Sequence, residues 1–355
     1  MQITHSDVFP VEIKLRQPAR MAHLPEITQI TAVFVRLVTR KGQSAWGCAV
    51  AHPDLTGEQP ADLLKACQDG AAMVPDLHPT NLEYSLSQLS LACGNSTAAK
   101  CAFDLAFHDL LGLATGLPVY RLLGGYRSSI QASATIPLSS VVESVELAQE
   151  RAFSGFKVLK IKGGVDPEED VRRVQAIHRA LPGVILRLDA DGGYTVQAAI
   201  DVARALSDAL EMMEQPTPPA DLEALRQVTR QSTLPVLADQ SVSDPHSALQ
   251  LAAGHMASGL CVKLARCGGI RCASQVDAIA RAAHLDTMVS CIIEPALLIS
   301  AGLGFALSSP NVRYADLDGH LDLTHDPSLA GFHLHEGWLV ASDEPGLGCR
   351  VQMDG

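Results

Sequence analysis

The sequence has no C-x-x-C pair, no regular cysteine framework and no low-complexity tract. Its nine cysteines are odd in number and scattered, which argues against a disulfide scaffold. Reduced thiols in a cytoplasmic protein are expected, several of them small core residues. Basic charge is scarce: 27 Lys and Arg stand against 39 Asp and Glu, for a net charge of −12. That balance disfavours nucleic acid or an anionic membrane surface as a partner. Long apolar runs are also missing. The most apolar segment, Ile292 to Leu307, is broken by Glu294 and Pro295 and is short for a membrane span. The opening "MQITHSDVFPVEIKL" alternates like a strand and lacks the apolar core of a signal peptide. No H-E-x-x-H or Cys/His cluster occurs, and His255, His284 and His320 have no ligand spacing. The glycine pairs Gly124-Gly125, Gly163-Gly164 and Gly268-Gly269 form neither G-x-G-x-x-G nor a P-loop. They read as strand-to-helix turns that need φ > 0.

What is present is a chain of 355 residues, 47% hydrophobic and 19% charged, enough for a sizeable core in one large domain or two. Residues 1–50 read as strands, with "ITAVFVRLVT" and "KGQSAWGCAV" on either side of a Lys41-Gly42 turn. Residues 61–125 read as helices. In "AAKCAFDLAFHDLLGLATG" apolar positions recur at three and four until Gly116 and Pro118 stop it. From about Ile130 short apolar strands alternate with helices: "IQASATIPL", "FKVLKIKGG", "GVILRLDADGG", "ALEMMEQP", "LPVLADQS", "SGLCVKLARCGG", "DTMVSCIIEP" and "VRYADLDG". Eight such units predict parallel strands closed into a (β/α)₈-type barrel.

Each predicted strand ends in a polar residue: Thr135, Lys160 with Lys162, Asp189, Glu214, Asp239, Lys263, Glu294, and Asp316 with Asp318. Taken one per strand, these lie 22 to 31 residues apart, about one βα unit. Such ends converge on one mouth, where barrel active sites sit. Asp189, Glu214 and Asp239 lie on three successive strands. Three converging carboxylates repel unless one is protonated or a cation joins them. All-oxygen ligation points to Mg²⁺, one per subunit, with Mn²⁺ as the alternative. The competing reading pairs the carboxylates with barrel lysines and has no metal. Lys160 and Lys162 share a strand face. On a plain edge strand that pairing would be a solvated face. At a barrel mouth, one lysine can hold a substrate carboxylate while the next moves a proton. Lys160 and the metal are expected to lower the pKa of Lys162. Lys263, four strands on, faces it across the mouth, so a substrate α-carbon would have a lysine on each side.

This series of K-x-K, Asp, Glu, Asp and Lys resembles the enolase superfamily, muconate-lactonizing subgroup, over nearly the whole chain. The resemblance implies an α/β fold: a (β/α)7β-type TIM barrel at residues 126–324. It further implies an α+β capping domain at residues 1–125, completed by 325–355, with "DEPGLGCRV" as the closing tail. It also implies proton abstraction next to a carboxylate by a Lys base with Mg²⁺. In "YADLDGHLDL", Asp316 and Asp318 resemble the D-x-D of the dipeptide epimerases, which holds the α-ammonium of a dipeptide; an ordinary turn pair is the other reading. Thr135 matches the strand-one threonine of that group. Cys291 falls where the group contacts substrate, or is a core thiol. One position departs: the family usually reads Asp-Glu after strand five, and this chain reads Asp239-Gln240. The usual Glu is not among the three ligands, but its loss bears on how Lys263 is poised.

The expected activity is epimerisation of L,L-dipeptides to L,D-dipeptides at the α-carbon of the C-terminal residue. Lys162 and Lys263 would be the catalytic bases, with Thr135, Lys160, Cys291, Asp316 and Asp318 binding substrate. A cytoplasmic homo-oligomer acting on a small dipeptide, without nucleic-acid or membrane partners, is expected. The capping loop, placed at Arg16 to Ile27, offers Met21, Ala22, His23, Leu24 and Pro25, with only Arg20 and Glu26 flanking. It reads as an apolar lid over a hydrophobic side chain, or as a loop simply packed onto the barrel. The alternatives are an N-acylamino acid racemase or o-succinylbenzoate synthase of the same superfamily, a metal-free Schiff-base aldolase, or a non-catalytic peptide-binding protein.

Overall fold

The structure is a computed structural model describing residues 2–22 and 24–353. The N-terminal part opens with an antiparallel sheet of β1 (Ile3–Ala19), β2 (Ile27–Thr39) and β3 (Ser44–Ala51), in that order. β1 is an edge strand, so Pro10 can sit inside it without breaking a central ladder. The apolar face of β3 lies on the helix Thr97–Thr115, which starts on Ser96 and ends at Gly116 in the left-handed region. Contact is close: a Cβ on Gly47 would lie 1.9 Å from the Ala102 carbonyl oxygen. Only glycine fits there.

A short strand, β4 (Ser129–Gln131), leads into the barrel. The barrel strands are β5 (Ser133–Ile136), β6 (Val158–Lys162), β7 (Ile185–Asp189), β8 (Leu210–Glu214), β9 (Val236–Ala238), β10 (Gly259–Lys263), β11 (Asp286–Ser290) and β12 (Val312–Asp316). All eight are parallel and hydrogen-bonded in chain order, and a parallel bridge between Ala132 and Ala315 closes the ring. Helices follow each of the first seven strands, giving the (β/α)7β arrangement. Most begin on Ser, Thr or Asp, as at Ser140, Asp166, Thr195, Asp221 and Asp244. Inside the barrel, Met212, Leu237, Cys261, Met288 and Tyr314 form a small apolar plug beneath the mouth.

The most apolar segment of the sequence becomes the helix Ala296–Ser308. It is buried along nearly its whole length between barrel and cap. No helix among the described residues is long and apolar enough to cross a membrane. Barrel and cap are joined by directed hydrogen bonds as well as burial. Asp104 in the cap accepts the Ile270 and Arg271 N–H groups at 2.7 and 3.2 Å, capping a barrel helix from outside its own chain segment. Burial keeps the His52 pKa down at about 4, so its ring is neutral; Nε2 donates to the Ile293 carbonyl at 2.8 Å. Asp109 accepts the Trp46 and Leu347 N–H groups, both at 2.8 Å, and so clips the C-terminal tail to the cap.

One boundary differs from expectation. The capping loop does not start at Arg16, because β1 runs on to Ala19. Leu15 pairs with Leu323, Arg16 N–H donates to the Asp322 carbonyl at 2.8 Å, and Ala19 pairs with Ile27. The chain after β12 supplies this pairing, which local sequence cannot reveal. The loop therefore spans residues 20–26. Of its predicted lid residues, His23 lies outside the described residues. Met21 packs against the main core, and Ala22 is buried.

Candidate active site

Strand register assembles the mouth. Thr135 lies abreast of Lys160, Lys162 abreast of Asp189, and Asp189 abreast of Glu214. On the other side Lys263 lies abreast of Ser290, and Ser290 abreast of Asp316. β6 and β10 are four strands apart in a ring of eight, so Lys162 and Lys263 face each other across it.

Lys160 is 3% exposed and sits among three carboxylates: Asp189 and Glu214, each at 2.9 Å, and Asp316 at 2.7 Å. Lys162 donates to Asp189 Oδ2 at 2.9 Å and to both oxygens of Asp191, at 2.9 and 3.0 Å. Lys263 pairs with Asp239 Oδ2. Among the protein's own groups, without the cation that the expectation also invoked, the Lys162 pKa is not lowered. Burial and the Lys160 charge do push the ammonium down, but Asp189 and Asp191 outweigh them, and the net shift is upward. Lys263 is likewise raised, burial opposing and Asp239 prevailing. Lys160 rises too: burial opposes, and Asp189, Asp316 and Glu214 win.

The three acids differ. Asp189 is held below the usual carboxylate range because Lys160, Lys162 and Lys263 overcome its burial. Glu214 is pushed up to about 8, by burial first and then by Asp189. Neither Glu214 oxygen accepts a hydrogen bond, although Oε2 is 2.9 Å from Lys160 Nζ, a geometry too poorly aligned to count as one. Asp239 Oδ1 is also buried and without a partner. Buried lone pairs of this kind are costly unless something binds them. Glu214, Asp239 and the buried thiol of Cys261 bring ligand atoms within 4.8 Å of one another. Burial and neighbouring acids raise the Cys261 thiol and keep it protonated, so the donors left are carboxylate oxygens. Such a set suits a hard divalent cation. Asp189 stands next to Glu214 by register and turns Oδ2 towards both lysines.

Asp316 and Asp318 are not equivalent. Asp316 is enclosed, accepting from Lys160, Ser133 Oγ at 2.8 Å and Ser290 Oγ at 2.9 Å. Asp318 takes the Thr135 N–H on Oδ2 at 2.6 Å, while Oδ1 has only the Cys291 thiol, at 3.9 Å. Burial and then Asp316 push the Asp318 carboxyl up to about 6. Cys291 Sγ accepts the Gly319 N–H at 3.3 Å, so its sulfur braces the turn that carries Asp318. Its thiol is raised, chiefly by burial. Glu294, the polar end expected for strand seven, lies beyond β11. It is buried, and burial pushes its carboxyl well above the usual range.

Several residues of the site were not singled out by sequence. Asp191 is one, although it stands at i+2 from Asp189, the same spacing that drew attention to Asp316 and Asp318. Ser133 and Ser290 carried no signal. Behind Lys162, Arg173 donates to the Lys162 carbonyl at 2.6 Å, the Pro137 carbonyl at 2.7 Å, Ser144 Oγ at 2.9 Å and Asp170 at 3.1 Å. Asp170 in turn accepts the Gly164 N–H and the Tyr194 hydroxyl. Gln215 Oε1 accepts the Asp239 N–H at 2.9 Å and fixes the start of its loop. The loops after β6 and β7 touch through backbone. A Cβ on Gly193 would lie 1.9 Å from the Gly164 carbonyl oxygen.

Two family descriptions match the chain. "Mandelate racemase / muconate lactonizing enzyme, N-terminal domain" covers residues 3–124, and "Enolase C-terminal domain-like" covers 143–355. Among similar proteins, an L-Lys-D/L-Arg epimerase of Methylococcus capsulatus is 33% identical over 98% of this chain and 99% of its own. A dipeptide epimerase of Enterococcus faecalis, solved with Mg and L-Leu-L-Tyr, is 32% identical and superposes with a TM-score of 0.94 over 98% of this chain and 99% of its own. The L-Ala-D/L-Glu epimerase of Bacillus subtilis, solved with substrate, is 30% identical with a TM-score of 0.94 at the same coverage.

Proposed function

The chain belongs to the mandelate racemase/muconate lactonizing enzyme family of the enolase superfamily, and on that premise we propose that it is a Mg²⁺-dependent isomerase, a dipeptide epimerase preferring hydrophobic side chains. The observation that carries this reading is the pair of lysines, Lys162 and Lys263, set on opposite sides of three carboxylates. An epimerase must remove a proton from one face of an α-carbon and return one to the other. Asp189, Glu214 and Asp239 would hold Mg²⁺, which would draw charge from the substrate carboxylate and make the α-proton more acidic.

The chain's own residues supply the rest. Lys160, anchored by Asp316, presents a fixed ammonium to the developing enolate charge. Lys162 and Lys263 exchange the proton. Asp318 receives the substrate's α-ammonium on its open Oδ1, and Thr135 orients it through the backbone N–H. The relatives carry different named substrates at similar identity, so side-chain preference rests on the capping loop. There Arg20 Nε and Glu26 Oε1 pair with each other at 2.5 Å. That pair is solvent-exposed and self-compensating, and the apolar residues beside it are Met21, packed against the main core, and half-buried Leu24.

The test is α-proton exchange in D₂O with L-Ala-L-Phe and L-Ala-D-Phe. Lys162→Ala and Lys263→Ala should each abolish epimerisation yet retain exchange on opposite stereoisomers. Full epimerisation by either variant would overturn the two-base reading. Equal turnover of N-acetylated dipeptides would move the assignment to an acylamino acid racemase.

A further inference from the structure

The two lysines are not equally furnished. Each pairs with a carboxylate already proposed to hold the cation: Asp189 for Lys162, Asp239 for Lys263. Lys162 alone of the two has a second carboxylate, Asp191, and no proposed ligand role occupies it. The Asp191 side chain is 9% exposed and meets Lys162 Nζ with both oxygens. Its backbone lies at φ 45°, in the left-handed region that non-glycine residues seldom adopt. Three hydrogen-bonding partners hold it there. Its N–H donates to Asp189 Oδ1 at 3.1 Å, Lys162 clasps the carboxylate, and Gln240 Nε2 donates to Oδ1 at 3.0 Å.

Gln240 reaches this corner from the loop after β9, and its own backbone is tied down, the carbonyl accepting from Arg266 at 2.5 Å. Its amide can face a carboxylate in one sense only, with the NH₂ inward. That leaves Oε1 buried and without a partner. An unmet acceptor is a cost, and here it accompanies a single contact, the one to Asp191.

We propose that Asp191 is a positioning residue for Lys162, and that Gln240 holds Asp191 in place, so that one negative charge shared by positions 191 and 240 sets the Lys162 side chain for transfer on its own face of the substrate. Among the described residues, Lys263 pairs with Asp239 alone. The corner holds one carboxylate and one amide, and their order matters less than their sum. Asp191→Asn combined with Gln240→Glu would offer the same two groups in reversed places.

The inference rests on the dipeptide reading, and the experiment separates the two. Exchange is followed in D₂O on L-Ala-L-Phe and L-Ala-D-Phe, with Lys162→Ala identifying which isomer depends on Lys162. Asp191→Asn should slow exchange on that isomer by about tenfold or more, the scale of one charge-assisted hydrogen bond, and leave the other isomer little changed. Gln240→Glu alone places two carboxylates together and should also slow that isomer. The double variant Asp191→Asn/Gln240→Glu should recover most of the loss, a coupling that two independent structural effects would not produce. Mn²⁺ affinity, measured in parallel, should stay near that of the unmutated chain. Equal slowing of both isomers, no recovery in the double variant, or loss of Mn²⁺ binding in Asp191→Asn would each overturn the inference. An unmutated chain that exchanges neither isomer would refute the dipeptide reading itself, and this inference with it.

Discussion

Replacing Asp318 by Asn should weaken dipeptide binding while leaving the chemistry nearly intact, and replacing Asp316 by Asn should do the reverse. The difference follows from what each carboxylate already accepts. Asp316 is filled by Lys160, Ser133 and Ser290, whereas Asp318 Oδ1 has only a distant thiol. A charge-assisted hydrogen bond in such a place contributes about 1.5–3 kcal/mol. Asp318→Asn should therefore raise KM for L-Ala-L-Phe by roughly ten- to a hundredfold at little change in kcat. Asp316→Asn strips a buried ammonium of a partner. It should lower kcat, and because Lys160 keeps Asp189 and Glu214 beside it, the stability cost should be that of weakened buried hydrogen bonds, about 1–3 kcal/mol. The pH profile gives a second reading. The Asp318 carboxyl, pushed up to about 6, must be ionised to hold an ammonium. For the unmutated chain kcat/KM should decline as pH drops through about 6, and Asp318→Asn should lack that limb. Stability runs the other way. A carboxyl raised in the folded state favours folding when protonated, so Asp318→Asn should not destabilise the chain at pH 8. Initial rates across pH 5.5–8.5 decide it. If Asp316→Asn raised KM as steeply as Asp318→Asn with kcat unchanged, the division of labour between the two carboxylates would be refuted.

Glu214→Gln and Asp239→Asn should each weaken Mn²⁺ binding, measured by calorimetry, and abolish turnover together, because both supply unpartnered buried oxygens; binding at full strength in both variants would refute the ligand set. Arg173→Met should destabilise the chain by about 3–5 kcal/mol in urea unfolding, since it leaves Asp170 as an uncompensated buried charge. A loss below about 1 kcal/mol would mean the network behind Lys162 carries little energy. A dipeptide screen by mass shift in D₂O should rank Ala-hydrophobic dipeptides above L-Ala-L-Glu and above Lys/Arg dipeptides. The opposite order would refute the apolar lid and leave the chemistry untouched.

The barrel was legible because its signals are local. Each strand is a short apolar run, most with a polar end, and most helices bring their own cap, so eight strands could be placed from local pattern. The convergence of Lys160, Lys162, Asp189, Glu214, Asp239 and Lys263 followed from strand ends sharing one rim. Illegible were the features set by pairing between distant segments. β1 runs to Ala19 because the chain near Leu323 meets it. Arg173 is buried because Pro137, Ser144, Lys162 and Asp170 all turn acceptors towards it. Neither fact has a spacing rule.

The set of charges around Lys162 is the clearest case. Spacing along one strand exposes one neighbour, Lys160 at i+2 on the same face, and a like charge lowers an ammonium pKa. Across strands the count changes. Register adds Asp189 from β7, and a left-handed turn two residues later adds Asp191, both within 3.0 Å. Coulomb interactions depend on distance and not on chain order, so two contacts at hydrogen-bond range outweigh one neighbour along the strand. A bound divalent ion would act on the same balance. Held by Asp189, it would draw on that carboxylate's charge and leave Asp191 as the remaining anion beside Lys162. The base on one face of the substrate would then still have a carboxylate partner, while Lys263, paired with Asp239 alone, would not. Two lysines that look interchangeable in sequence thus occupy unlike electrostatic settings, and the two directions of epimerisation need not respond alike to substitutions around them.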